Sequence, residues 1–86
     1  MARVKIFSTG ICPICDKTKN LLTKWGIAYE EARVDQDREQ LKQMLQMTDG
    51  ARRVPQIIID DEWIGGFTEL TELHMDGKLD HLVTPS

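Results

Sequence analysis

Two cysteines stand three positions apart, Cys12 and Cys15, with Pro13 and Ile14 between them. They follow the apolar run Val4 to Phe7 and precede the periodic segment Asp16 to Trp25. That order reads as strand, short loop, helix. Cys12 then falls at the helix N-cap and Pro13 at the first helical position, where its missing N–H costs nothing. Residues three apart at a helix start share one face. Their α-carbons are separated by roughly 5 Å, inside the window of about 4.4–6.8 Å that a disulfide requires. The same place offers unpaired backbone N–H groups and the positive end of the helix dipole, and both favour a thiolate. Thiols so placed titrate at about 3.5–7.5 instead of about 8.5. The pattern suits a reversible dithiol. Two other readings apply to a cysteine pair: inert core residues, or half of a zinc site completed by His74 and His81. Proline between the cysteines has no packing rationale under the first. The distant histidine pair does not match the usual short finger spacings under the second.

The elements that must hold this pair follow from the rest of the pattern. Arg3 to Ser8 alternates and then becomes doubly apolar at Ile6-Phe7, as suits a strand covered on both faces. Ser8-Thr9-Gly10-Ile11 is the loop that delivers Cys12. From Pro13 the stripe Thr18, Leu21, Leu22, Trp25 predicts a helix ended by Gly26, with Lys17, Lys19 and Lys24 on a solvated face. Ile27 to Val34 is expected as a second strand, completing a right-handed βαβ unit with parallel strands. Asp35-Gln36-Asp37 caps a second helix whose stripe is Leu41, Met44, Leu45 and Met47, with Gly50 just beyond its end. Val54 to Asp60 reads as the third strand and opens with Pro55, a position where proline is tolerated. Asp60-Asp61-Glu62 is expected as a tight turn and Trp63-Ile64 as a strand returning antiparallel. Gly65-Gly66 permits close backbone approach or a positive φ. Leu70, Leu73 and Met75 before Gly77, then Leu79, Leu82 and Val83, predict one helix and a short terminal one. The sum, β-α-β-α-β-β-α, is an α/β fold with a four-stranded mixed sheet and helices on both faces. The Cys12 loop, the turn before Pro55 and the Gly65-Gly66 segment fall at one end of that sheet, where ligands of open α/β sheets bind.

Composition bounds the function. Eighty-six residues, 41% hydrophobic and 29% charged, make one domain, 1–86, of ordinary globular composition. The formal net charge of -3, with Arg52-Arg53 the one local basic pair, argues against general nucleic-acid binding. No apolar run approaches about 18 residues, so no membrane span is expected. Met1 to Lys5 runs directly into strand pattern without a signal-peptide core. Two cysteines in that setting fit a reducing compartment. A cytoplasmic monomer is expected.

Cys12-Pro13-Ile14-Cys15 after the first strand, Val54-Pro55 before the third and Gly65-Gly66 after the fourth together resemble the glutaredoxins, over almost the whole chain. The resemblance implies a thioredoxin-like fold with a cis peptide before Pro55. It also implies that the Val54 backbone meets the peptide-like backbone of glutathione or a substrate, as one added strand rung. Cys12 would be the exposed nucleophile and Cys15 the buried resolving thiol, with release of the mixed disulfide by Cys15 or by glutathione. The implied substrate-binding set is Thr9, Pro13, Ile14, Arg53, Val54, Pro55, Gly66, Phe67 and Thr68, with Phe67 and Thr68 at the γ-glutamyl end of glutathione. Three positions depart from the common family pattern. Ile14 stands where tyrosine is frequent, Thr9 where lysine is, and Thr68 where aspartate is. Ile14 keeps an apolar wall, and Arg52 and Arg53 offer positive charge. By this resemblance the chain reduces protein disulfides and glutathione mixed disulfides, with glutathione as co-substrate and no metal. An alternative is a redoxin recharged by a thioredoxin-reductase-type flavoenzyme and serving ribonucleotide reductase. A third is an iron–sulfur carrier using Cys12 and glutathione as ligands between two subunits, against which Pro13 speaks.

Overall fold

Strand β1 (Val4–Ser8) lies inside a four-stranded sheet, between β2 (Tyr29–Arg33) and β3 (Gln56–Ile59), with β4 (Glu62–Gly65) beyond β3. The computed structural model describes residues 3–83; the ends of the expected 1–86 domain, including Met1 and Ala2, lie outside the described residues. β1 and β2 are parallel, while β1 with β3 and β3 with β4 are antiparallel. Helices α1 (Pro13–Lys24), α2 (Arg38–Met47) and α3 (Phe67–Met75) complete the fold, followed by a 3₁₀ turn at Asp80–Leu82. This is the expected element order and a thioredoxin-like architecture.

Period-2 alternation decides which helix covers which face. Val4 and Ile6 of β1 and Ile57 and Ile59 of β3 join Leu22 of α1 and Leu70 of α3 in one core. Phe7, Ala32 and Ile58 point the other way and pack with Met44 of α2. Ile6, Phe7, Leu22, Met44, Ile57 and Leu70 are wholly buried, each contributing about 1.5–3 kcal/mol of transfer free energy. Of the methionines in these helices, Met44 is core and Met47 packs against it, but Met75 is exposed. Met75 follows the core-facing Leu73 by two positions, a spacing that turns a helical side chain to the far side.

Differences from the expected boundaries have local causes. The chain is still turning at Gly26 (φ +75°), so Ile27 and Ala28 precede β2. Ile27 is buried and makes an isolated bridge with Val83. The hairpin turn is only Asp60-Asp61, with φ of 52° and 66°, and Glu62 already belongs to β4. A two-residue hairpin loop favours positive φ at both positions, which Asp tolerates better than most residues. Lys19 is no solvated side chain: it pairs with Glu31 at 2.8 Å and Asp16 at 3.4 Å. Arg3 forks onto Asp60 at 2.7 and 2.6 Å, at the end of the sheet away from the Cys12 loop.

Candidate active site

α1 begins as the pattern required. Cys12 is its N-cap in extended conformation, and Pro13 occupies the first turn. The Cys15 N–H lies 3.1 Å from Cys12 Sγ. The two cysteines are joined as a disulfide, with Cα atoms 5.2 Å apart, inside the reach that helical spacing gives. On reduction the same N–H and the helix dipole face whichever sulfur carries charge at the N-cap. The pair is asymmetric: Cys15 is wholly buried and Cys12 half-buried. An incoming sulfur therefore meets Cys12 first.

The loop ahead of Cys12 is held from its side of the sheet. Gly10 N donates to Asp35 Oδ2 at 3.0 Å, while Arg33 grips both Asp35 oxygens at 2.9 Å. The Arg33 guanidinium, helped by the Gly10 N–H, holds the Asp35 carboxyl down at about 2. Ser8, wholly buried, donates to Glu31 at 2.6 Å. Glu31 is held below the usual carboxylate range by Lys19 first and Ser8 second. Asp35, expected only as part of a capping segment, thus anchors the cysteine loop. The cap of α2 is Asp37, whose carboxylate accepts from Glu39 N.

Beside the disulfide lies an open groove of about 300 Å³, at the small end of ligand-site sizes. The turn leading into β3 forms one bank. The Val54–Pro55 peptide is cis, and the Val54 carbonyl oxygen stands 4.0 Å from Cys12 Sγ. The start of α3 forms the other bank. A Cβ on Gly66 would stand 3.2 Å from the Pro55 carbonyl oxygen, so a glycine lets the two banks approach this closely.

Seven of the expected substrate-binding residues line this groove: Ile14, Arg53, Val54, Pro55, Gly66, Phe67 and Thr68. Thr9 and Pro13 are not among its lining residues, and neither is Arg52. The groove also takes in Gly65, which was expected at this end of the sheet together with Gly66, and Gln56, Trp63 and Glu69, which were not expected there. Glu69 supplies an anionic group one position beyond Thr68, its carboxylate accepting from Gly66 N at 3.0 Å. That half of a capping box was legible, because Glu69 stands three residues after Gly66, the N-cap of α3. Lys17, read as a solvated lysine, reaches the groove edge with its ammonium 5.2 Å from the Phe67 ring centroid, within cation–π range. His74 is stacked on Trp25, ring centroids 3.7 Å apart.

The Glutaredoxin family model matches residues 4–64. The chain belongs to the glutaredoxin family. A glutaredoxin of Neisseria meningitidis serogroup A is 40% identical over 86 residues, covering 99% of this chain and all of that one. Glutaredoxin 3 of Escherichia coli K12 is 36% identical over 83 residues, 96% of this chain and 99% of that one. Among solved structures, a buckwheat glutaredoxin–glutathione complex superposes with a TM-score of 0.81 at 30% identity, covering 95% of this chain and 76% of that one. As a glutaredoxin-family protein with this cysteine pair, the chain is a thiol–disulfide oxidoreductase.

Proposed function

We propose that the protein is a dithiol glutaredoxin that uses glutathione to reduce protein disulfides and glutathione mixed disulfides. The observation that carries this reading is the groove: it runs alongside Cys12 and combines the Val54 backbone acceptor, two cations and a helix N-terminus. A tripeptide with two carboxylates and an ammonium needs those partners. The Val54 carbonyl accepts from a substrate backbone N–H in the manner of an added strand. Arg53 and Lys17 face carboxylates. The N-terminus of α3, at Phe67 and Thr68, favours an anion through its N–H groups and dipole, while Glu69 faces the ammonium. The buckwheat relative in complex with glutathione supports the choice of ligand.

In this reading the Cys12 thiolate attacks one sulfur of a substrate disulfide. An S–S bond forms to Cys12, and the departing thiolate takes up a proton. The Cys15 thiolate then attacks Cys12 and expels the reduced substrate, leaving the Cys12–Cys15 disulfide. On a glutathionylated substrate Cys12 instead takes the glutathionyl sulfur and the substrate thiolate departs. A glutathione thiolate then attacks that sulfur, so that oxidised glutathione leaves and Cys12 is freed. One glutathione thiolate opens the Cys12–Cys15 disulfide and a second removes the first as oxidised glutathione. Two electrons pass from two glutathione molecules to one substrate disulfide. Proteins bearing disulfides or glutathionylated cysteines are the substrates, in the reducing cytosol that the cysteine usage suits.

The deciding experiment compares the rate at which glutathione reduces the oxidised protein with the rate given by a thioredoxin reductase and its nicotinamide cofactor. Rapid reduction by glutathione is expected. Reduction by the flavoenzyme alone would replace glutathione with that donor and make ribonucleotide reductase the natural acceptor to test.

A further inference from the structure

Behind the Val54 turn lies a two-bond chain of side chains that the exchange reaction itself does not call on. Trp63 Nε1 donates to Gln56 Oε1 at 2.8 Å, and Gln56 Nε2 donates to the Arg53 carbonyl oxygen at 2.9 Å. Gln56 is 7% exposed and Trp63 is 42% exposed. The chain runs from the edge strand β4, through the interior strand β3, to the residue just before Val54.

Each link has a chemical reason. An indole N–H can only donate and a backbone carbonyl can only accept. A group joining them must accept at one end and donate at the other, which a side-chain amide does in one orientation only. A carboxylate would repel the carbonyl, and an ammonium could not accept from the indole. Geometry requires the length of glutamine. Ile58 is opposite Trp63 in the β3–β4 ladder, so Gln56 lies two residues away on the same face. Diagonal cross-strand neighbours of that kind are about 7–8 Å apart, within reach of long side chains only. The register slips between Ile57 and Ile58, and Ile57 is paired with Gly65. Trp63 both meets Gln56 and lines the groove.

We propose that Gln56 and Trp63 form a positioning relay that fixes the Arg53–Pro55 turn, and with it the Val54 carbonyl, against Cys12. The relay acts on substrate placement, through the Val54 backbone acceptor 4.0 Å from the attacking sulfur. It rests on the disulfide exchange of the family and, for one of the two substrates below, on the glutathione-dependent reading.

The test is a double-mutant cycle of Trp63→Phe and Gln56→Met. Phenylalanine keeps the ring and loses the donor; methionine keeps the unbranched length and loses the amide. Steady-state constants are measured on a glutathionylated peptide with glutathione, and on insulin disulfides with dithiothreitol as reductant. Each single variant is expected to raise KM by about 3–10-fold, the worth of one net hydrogen bond, with a smaller change in kcat. The double variant is expected to be no worse than either single one, because both break the same chain. Trp63→His, which restores a ring N–H, is expected to recover most of the lost KM. Independent, multiplicative effects would overturn the relay, as would equal impairment of Trp63→Phe and Trp63→His, or wild-type KM in all variants. If Gln56→Met does not fold, Trp63→Phe against Trp63→His decides alone. Wild-type inactivity on the glutathionylated peptide would sink the glutathione reading only, and the insulin series would still judge the relay.

Discussion

Cys12 and Cys15 differ in one respect that matters for chemistry: Cys12 is half-buried at the N-cap and Cys15 is wholly buried one turn behind it. Cys12→Ser is therefore expected to abolish all disulfide exchange, since the one other cysteine of the sequence is wholly buried. Cys15→Ser removes only internal release. It is expected to keep activity on glutathionylated peptides, where glutathione frees Cys12, and to lose most of its activity on protein disulfides. Assaying both variants on both substrates checks this, and a Cys15→Ser protein equally inactive on the two would reverse the assigned order of attack. The cysteines were legible because their chemistry depends on a spacing of three along one helix. Glu69 obeys a similar local rule. Trp63 and Gln56 do not: their meeting depends on a ladder register, which no local pattern of residue types encodes. Lys17 was passed over for a like reason, because its partner Phe67 belongs to another helix.

At the scale of elements, every strand and helix was legible, since β1 and β3 carry short apolar runs that suit strands covered on both faces, and α1 and α2 carry apolar residues at helical spacing. Boundaries were read less well. Ile27 is apolar because it is buried beside Val83, and burial alone made it look like strand. The two faces of the sheet carry separate cores, one closed by Leu22 and Leu70, the other by Met44. Leu22→Ala and Met44→Ala are each expected to cost about 2–5 kcal/mol of stability, through lost burial and a residual cavity. Without shared partners, the two losses are expected to add. Urea unfolding of the single and double variants measures this; a clear departure from additivity would mean that the sheet transmits strain between its faces.

For the molecule as a whole, acid is the natural stress. Glu31, Asp35 and Asp60 are all held below the usual carboxylate range, by Lys19, Arg33 and Arg3 respectively. In the unfolded chain they titrate near 4. A carboxyl whose folded pKa is depressed adds stability that is fully present above its unfolded pKa and is lost as pH falls through the folded one. The midpoint of thermal unfolding is thus expected to hold level from about pH 7 to 5 and to drop between about pH 5 and 2. For Asp35→Asn the gap from wild type is expected to close as pH approaches about 2, followed by circular dichroism. A gap that stays constant across that range would show that the anchor of the cysteine loop is not the ionised carboxylate.

The bridge between Ile27 and Val83 has a practical meaning. Val4 pairs with Tyr29 at the start of β2, so the first and last described residues, Arg3 and Val83, both lie beside the starting ends of the two parallel strands. The disulfide lies at their finishing ends. A fusion partner, a bead or an electrode surface held beside Arg3 or Val83 would leave the Cys12 end of the sheet facing away from it, with the length of the strands as the spacer.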